Sequence, residues 1–230
     1  MKPADLTPPC LRADQRIMIS DSVWYIPTRF VDDQFVFPGW NSAQLFGNDH
    51  PVVIEYCSGN GAWIFKKALE NPDVNWVAVE RKFDRVRKIW SKIKNHSMKN
   101  LIVICGEACK STKLFFPDDS IQDIYINFPD PWPKTRHAKK RLIQQDFVGE
   151  LQRILKDGQV LTFVTDDAHY SEWTIDVLHQ QGGFTSLYPN PFFVSDESSY
   201  GTSYFEELWR SKGRIIRYHR FQAVKNKRCL

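Results

Sequence analysis

From residue 51 onward the chain alternates short apolar runs with amphipathic stretches. "VVIEY" (52–56), "NWVAVE" (75–80), "LIVICG" (101–106), "IQDIYINF" (121–128) and "QVLTFVTD" (159–166) are rich in Val, Ile, Leu and Phe, the pattern of buried strands. Between them "GAWIFKKALEN" predicts a helix closed before Pro72, and further helices are expected over about 82–95, 140–156 and 167–181. Strands alternating with helices imply parallel βαβ crossovers. The predicted fold is therefore α/β, a doubly wound, mostly parallel sheet. The end of the chain, "GRIIRYHRFQAVK", alternates over a longer run with no helix behind it, which predicts a C-terminal antiparallel strand at the sheet edge.

The first fifty residues break this rhythm. "VWYIPTRFVDDQFVFPGW" is dense in aromatics and proline and predicts an arm or flap over the core, for binding or for packing only. A chain of 230 residues can bury a full core, and no repeat, low-complexity tract or apolar run of bilayer length interrupts it. Cys10, Cys57, Cys105, Cys109 and Cys229 are odd in number and scattered, and the start "MKPADLTPPCLRADQ" lacks an apolar signal core. Reduced thiols in a cytoplasmic compartment are expected, with no membrane partner. Cys105 and Cys109 have no second ligand pair at zinc-site spacing, so no metal is expected.

The net charge of +4 is modest, but its distribution is uneven. Basic residues gather in 81–99, in 134–141 and from Arg210 onward, and a polyanion would use such patches. The 81–99 cluster alone reads more simply as a solvated helix face.

In an open α/β sheet, ligands bind beyond the carboxyl ends of the strands, so the strand ends become the candidates. The first strand carries Glu55 and runs into "YCSGNG", where Gly59 and Gly61 would let the backbone turn tightly and approach a ligand. The second ends in Glu80, about twenty residues on, where an acid commonly accepts hydrogen bonds from ribose. Glu107, Asp130 and Asp166 follow the next three strands. The loop lacks the third glycine of the dinucleotide pattern, and its opening acid would repel phosphate. A cationic ligand with a ribose suits it better, such as S-adenosylmethionine.

The stretch "INFPDPWPKTRHAKKR" (126–141) is the most distinctive in the chain. Pro129 and Pro131 would hold Asp130 rigidly, since proline fixes φ. A fixed carboxylate could stabilise the positive charge that develops when a ring nitrogen is methylated, the mirror image of an oxyanion hole. Trp132 offers a face for stacking a base, and the cations that follow could hold phosphates. A stiff turn around a buried tryptophan is the simpler alternative.

Together these stretches resemble the tRNA (guanine-N7-)-methyltransferases, class I, Rossmann-like enzymes that use S-adenosylmethionine to modify a guanosine in the tRNA variable loop. The resemblance covers roughly 45–225, through "LFGNDHPVVIEYCSGNG", "VAVE", "INFPDPWPKTRHAKKRL", "LTFVTDDAHY" and "TSYFEELWRSKGRIIR". It implies an S-adenosylmethionine site lined by Glu55, Gly59, Gly61, Glu80 and Glu107, with Asp130 as the catalytic carboxylate at the methyl-transfer point. Lys134 and Asp166 would meet the guanosine, and Arg136, His137, Lys139, Lys140 and Arg141 would contact tRNA. Ser203, Tyr204, Phe205 and Glu206 fall where the family has a Thr-x-Phe/Tyr-Glu motif that closes over the substrate. Residues 51–230 would form the methyltransferase domain, behind an N-terminal arm over 1–50 that tRNA could order; monomer and homodimer both stay open.

Three positions depart from the family pattern. Cys57 replaces a glycine, Glu107 replaces an Asp or Asn, and Ser203 replaces a threonine, with Thr202 leaving the register open by one. The proposed target fits the physics of RNA. Guanine N7 lies on the major-groove edge, which in A-form helices is too narrow for side chains, so a loop guanosine is the accessible one. The sequence leaves three rivals: a methyltransferase with another acceptor, a nicotinamide-dependent oxidoreductase, and a non-catalytic RNA-binding module.

Overall fold

The computed structural model describes residues 1–8, 16–29 and 35–225; Cys10, Cys229 and part of the aromatic arm lie outside these. The chain divides into two units, Met1–Phe116 and Pro117–Leu230.

In the first unit the predicted strands form where the apolar runs stand: β3 (Val52–Tyr56), β4 (Asn75–Glu80) and β5 (Leu101–Cys105). They are parallel, with Ile54 beside Val77 and Val77 beside Ile102. Nearly every residue in them is buried, as expected of parallel strands covered on both faces. Helices α1 (Ala62–Glu70) and α2 (Phe83–Asn95) connect them. In α2, Val86, Ile89, Trp90 and Ile93 make one buried stripe at helical spacing.

Part of the aromatic segment joins this sheet. β2 (Val23–Tyr25) runs parallel to β5 with Val23 beside Val103, and β1 (Met18–Ser20) pairs antiparallel with β2. The order in this unit is β1-β2-β5-β4-β3. Trp24 is fully buried among the rings of Phe35, Phe37, Trp40, Phe115 and Phe116, so these aromatics pack on one another within the unit. A short helix that the sequence pattern did not reveal, α3 (Ala108–Phe115), follows β5.

In the second unit, β6 (Ile121–Asn127) and β7 (Leu155–Thr165) are parallel, and β9 (Arg217–Ala223) is antiparallel to β7. The C-terminal strand is thus antiparallel as expected, but it is not at the edge. A three-residue strand, β8 (Phe184–Ser186), pairs outside it, giving the order β6-β7-β9-β8. So short a strand, behind Gly182 and Gly183, carries no periodic signal. Helix α4 (Gln145–Ile154) begins later than predicted, because 135–140 coils into a separate 3-10 turn. Helix α5 (Ala168–Gln181) packs Tyr170 on Phe163 and His179 on Phe221.

His219 of β9 is fully buried among Phe163, Phe193 and Phe221. Its Nδ1 lies 3.0 Å from the Phe192 carbonyl and its Nε2 3.0 Å from Ser171 Oγ. A carbonyl only accepts, so Nδ1 carries the proton and the serine hydroxyl donates to Nε2. Burial pushes the imidazole pKa down to about 4; the Phe192 carbonyl opposes that shift, and the charge of Arg217 adds to it.

Candidate active site

After β3 the backbone turns left-handed three times, at Cys57 (φ 63°), Gly59 (φ 56°) and Gly61 (φ 68°). Gly61 answers two constraints, because a Cβ there would also lie 2.6 Å from Ile89 Cγ1 of α2. Glu80 organises the loop. Its carboxylate accepts from the Gly59 amide at 3.0 Å and the Lys82 amide at 2.8 Å, and Arg85 stands 3.7 Å away. A carboxylate offers roughly four lone-pair sites, so two backbone donors leave room for a ribose hydroxyl.

Glu55 is almost fully buried within β3, and Ser58 Oγ donates to its carbonyl at 2.8 Å. Glu107 is half-buried and caps α3, accepting from the amides of Cys109 (3.2 Å) and Lys110 (2.7 Å). That cap explains why a third acid follows β5, and it is a role the strand pattern did not disclose. Cys105 keeps its proton: burial, then the charge of Glu80, pushes its thiol up to about 11. The donor set here is carboxylates and backbone amides on a loop free of bulky side chains. Carboxylate lone pairs not taken by these amides can accept from the hydroxyls of a ligand.

In the second unit, β6 runs into an acid corner. Phe128 (φ 46°) and Trp132 (φ 45°) are both left-handed, and Pro129, Asp130 and Pro131 lie between them. The Phe128 amide donates to the Val164 carbonyl at 2.9 Å, continuing the register of β7. Pro129 is buried and Asp130 is exposed. Trp132 is half-buried, with Lys140 Nζ 4.7 Å over its ring and His137 edge-on at 5.7 Å. A base would have to use the other face of Trp132 or displace Lys140.

Residues Thr135–Lys140 form the 3-10 turn, opened by the His137 amide donating to the Lys134 carbonyl at 2.7 Å. Lys134, Arg136, Lys139 and Lys140 are exposed. Positions three apart eclipse in such a turn, so Arg136 and Lys139 share one side. Arg141 differs from its neighbours: it is buried, and its Nε donates to the Pro131 carbonyl at 2.9 Å.

The acids after β7 divide their roles. Asp166 pairs with Arg214, whose guanidinium lies 4.2 Å over the Trp209 ring, while Asp167 caps α5 by accepting from the Tyr170 amide at 2.7 Å. Ser203 and Glu206 form a capping box at the start of α6 (Tyr204–Ser211), with bonds of 3.2 and 3.3 Å. The box makes Ser203, not Thr202, the helix cap. Glu206 is buried and accepts from Arg210 Nε at 3.0 Å. Tyr204 is exposed, and the Phe205 ring stands 6.1 Å from Phe128.

The second unit therefore brings together the acid corner, the basic turn and the Ser203–Glu206 motif; in the first unit Glu80 binds the Gly59 amide of the glycine loop, Glu55 lies in the strand that leads into it, and Glu107 caps α3 after β5. Arg210 opens the basic tail read from the sequence, whereas Arg214 and Trp209 are not singled out there. The interleaved "LWRSKGR" was the available signal.

Residues 49–218 match a family model described as "Putative methyltransferase". The chain is 43% identical over 222 residues to a tRNA (guanine-N(7)-)-methyltransferase of Chlamydia abortus, covering 96% of this chain and 97% of the relative. With the enzyme of that name from Chlamydia muridarum it shares 46% over 220 residues, covering 94% and 95%. With the Staphylococcus aureus one it shares 36% over 175 residues, covering 76% and 81%. Among solved structures, the 16S rRNA methyltransferase KamB superposes with a TM-score of 0.58 at 16% identity, covering 79% of this chain and 92% of that one. A SAM dependent methyltransferase from Aquifex aeolicus superposes at 0.53 and 14%, covering 78% and 86%. At those identities the structures establish the fold alone. Among the described residues no helix is long and apolar enough to cross a membrane.

Proposed function

This chain belongs to the tRNA (guanine-N7-)-methyltransferase family, and from that premise we propose that it transfers a methyl group from S-adenosylmethionine to N7 of a guanosine in the tRNA variable loop. The observation that carries the reading is the acid corner: an exposed carboxylate, Asp130, between two prolines and directly ahead of an exposed basic turn.

When bound, S-adenosylmethionine supplies a methyl group on a sulfonium, which departs as a neutral thioether. Glu80 holds the glycine loop in shape and offers lone pairs to the ribose, while Glu55 lies buried in the strand that leads into the loop. Guanine N7 attacks with a free lone pair, so no base need remove a proton. The purine gains a positive charge as the new bond forms, and Asp130 lowers the energy of that charge more in the transition state than before it. Lys134, Arg136, Lys139 and Lys140 hold phosphates and set the register of the RNA.

The test is Asp130→Asn. It is expected to lower single-turnover methyl transfer by about 10²–10³-fold, the effect of losing one preorganised electrostatic group. S-adenosylmethionine affinity should change little. Equal losses in rate and in cofactor affinity would reassign Asp130 to binding, and a nucleoside product other than 7-methylguanosine would overturn the acceptor.

A further inference from the structure

We infer that Arg141 is a positioning residue for this reaction: its buried guanidinium, seated between Tyr170 and Trp173, holds the Pro131 carbonyl and so directs the neighbouring Asp130 carboxylate, with no contact to RNA phosphate. The inference rests on the proposed role of Asp130.

In sequence, Arg141 is one more cation in the run 134–141. In the structure it is 8% exposed, whereas Arg136, Lys139 and Lys140 face solvent. Its guanidinium carbon lies 5.3 Å from the Tyr170 ring centroid and 5.2 Å from that of Trp173, both on α5. Its Nε donates to the Pro131 carbonyl at 2.9 Å. A planar guanidinium can stack on two aromatic faces and still direct a donor at a carbonyl in its plane, which a lysine ammonium cannot reproduce.

The seat is itself fixed. Tyr170 Oη accepts from the Ile143 amide at 3.2 Å, Trp173 Nε1 donates to the Ile143 carbonyl at 2.7 Å, and Gln144 Nε2 donates to the Arg141 carbonyl at 3.1 Å. Backbone and side chain of 141–144 are thereby tied to α5, and through Arg141 the tie reaches Pro131. The corner needs such a tie. Phe128 and Trp132 both hold left-handed conformations that cost a non-glycine residue about 1–2 kcal/mol each, so an unsupported corner would relax and the carboxylate would swing. To reach a phosphate, Arg141 would have to leave both rings and abandon the Pro131 carbonyl.

The experiment uses the full-length protein with tRNA and S-adenosylmethionine, measuring the single-turnover rate at saturating tRNA and tRNA Kd across salt. Arg141→Met and Arg141→Lys should each lower the rate at least tenfold, with Kd within twofold of wild type and an unchanged slope of log affinity against log salt. Lys139→Ala and Lys140→Ala should instead flatten that slope, by about 0.7–0.9 per lost phosphate contact. If Arg141→Lys restores the rate, or Arg141→Met flattens the slope as the lysine variants do, Arg141 is a phosphate contact and the inference falls. Should Arg141→Met fail to fold, Trp173→Leu removes one stacking face. It should lower the rate at least threefold at unchanged Kd, and an undiminished rate overturns the inference. Asp130→Asn separates the two levels. If it slows transfer while both Arg141 variants run at full rate, only the positioning role is lost; if it leaves the rate intact, the reading of the corner fails first.

Discussion

In residues 57–61 the backbone turns left-handed at Cys57, Gly59 and Gly61, whereas in 128–132 it does so at Phe128 and Trp132. Two loops after parallel strands thus meet the same steric demand with opposite residues. The first mostly removes side chains, leaving backbone that a ligand can approach closely, and is tied through its Gly59 amide to Glu80 of β4. The second keeps its bulk and is braced from outside, by the Val164 carbonyl, Phe205, Lys140 and Arg141. Under the proposed function the difference follows from the task. A loop that cradles a ligand benefits from bare backbone, while a loop that presents one carboxylate must be stiff, and prolines between braced aromatics provide stiffness.

The comparison breaks most visibly at Gly61. Gly61→Ala would add a left-handed penalty and an overlap with Ile89, together about 3–4 kcal/mol of stability. Denaturant unfolding should show the loss, and an alanine tolerated at no cost would mean that α2 can move away from the loop. The next effect concerns the braces of the corner, which run through α5. Ser171 of that helix holds His219, whose folded pKa is pushed down to about 4. An unfolded chain takes up this proton near pH 6.5, so His219 contributes its stability fully above that pH. The contribution is lost progressively as pH falls toward 4, about 3 kcal/mol in all. Unfolding free energies measured between pH 7 and 4 should fall less steeply for His219→Gln than for wild type. Parallel profiles would show that another group carries the acid sensitivity.

How much of this could be read from the chain depended on the range of the cause. β3, β4 and β5 were legible because strands buried on both faces read as continuous apolar runs. β2 was not, since three aromatic-rich residues between turns carry no period, and only pairing with β5 makes them a strand. α3 and α6 were missed as short helices of eight residues each, although the Ser203–Glu206 spacing matches a capping box. At the site, the acid corner and the basic run were legible as local chemistry. The burial of Arg141 was not, because nothing in a run of cations distinguishes the one that α5 will cover. The partnership of Asp166 with Arg214 spans 48 residues, beyond any local pattern.

The smallest expected effect tests the comparison most directly. Cys57 is the one left-handed residue of the glycine loop that is not glycine. Cys57→Gly should relieve about 1–2 kcal/mol of backbone strain, while the greater freedom of glycine in the unfolded chain takes back about 0.4–1 kcal/mol. A net gain of roughly 0.5–1 kcal/mol is expected, read as a rise in Tm of a few degrees at most. Trp132→Gly relieves the same strain in the corner but removes the ring on which Lys140 and His137 rest, so it should destabilise. Opposite signs at the two positions would confirm that one loop is built from bare backbone and the other from braced side chains. Gains at both would mean that the contacts of Trp132 contribute less than the strain they accompany.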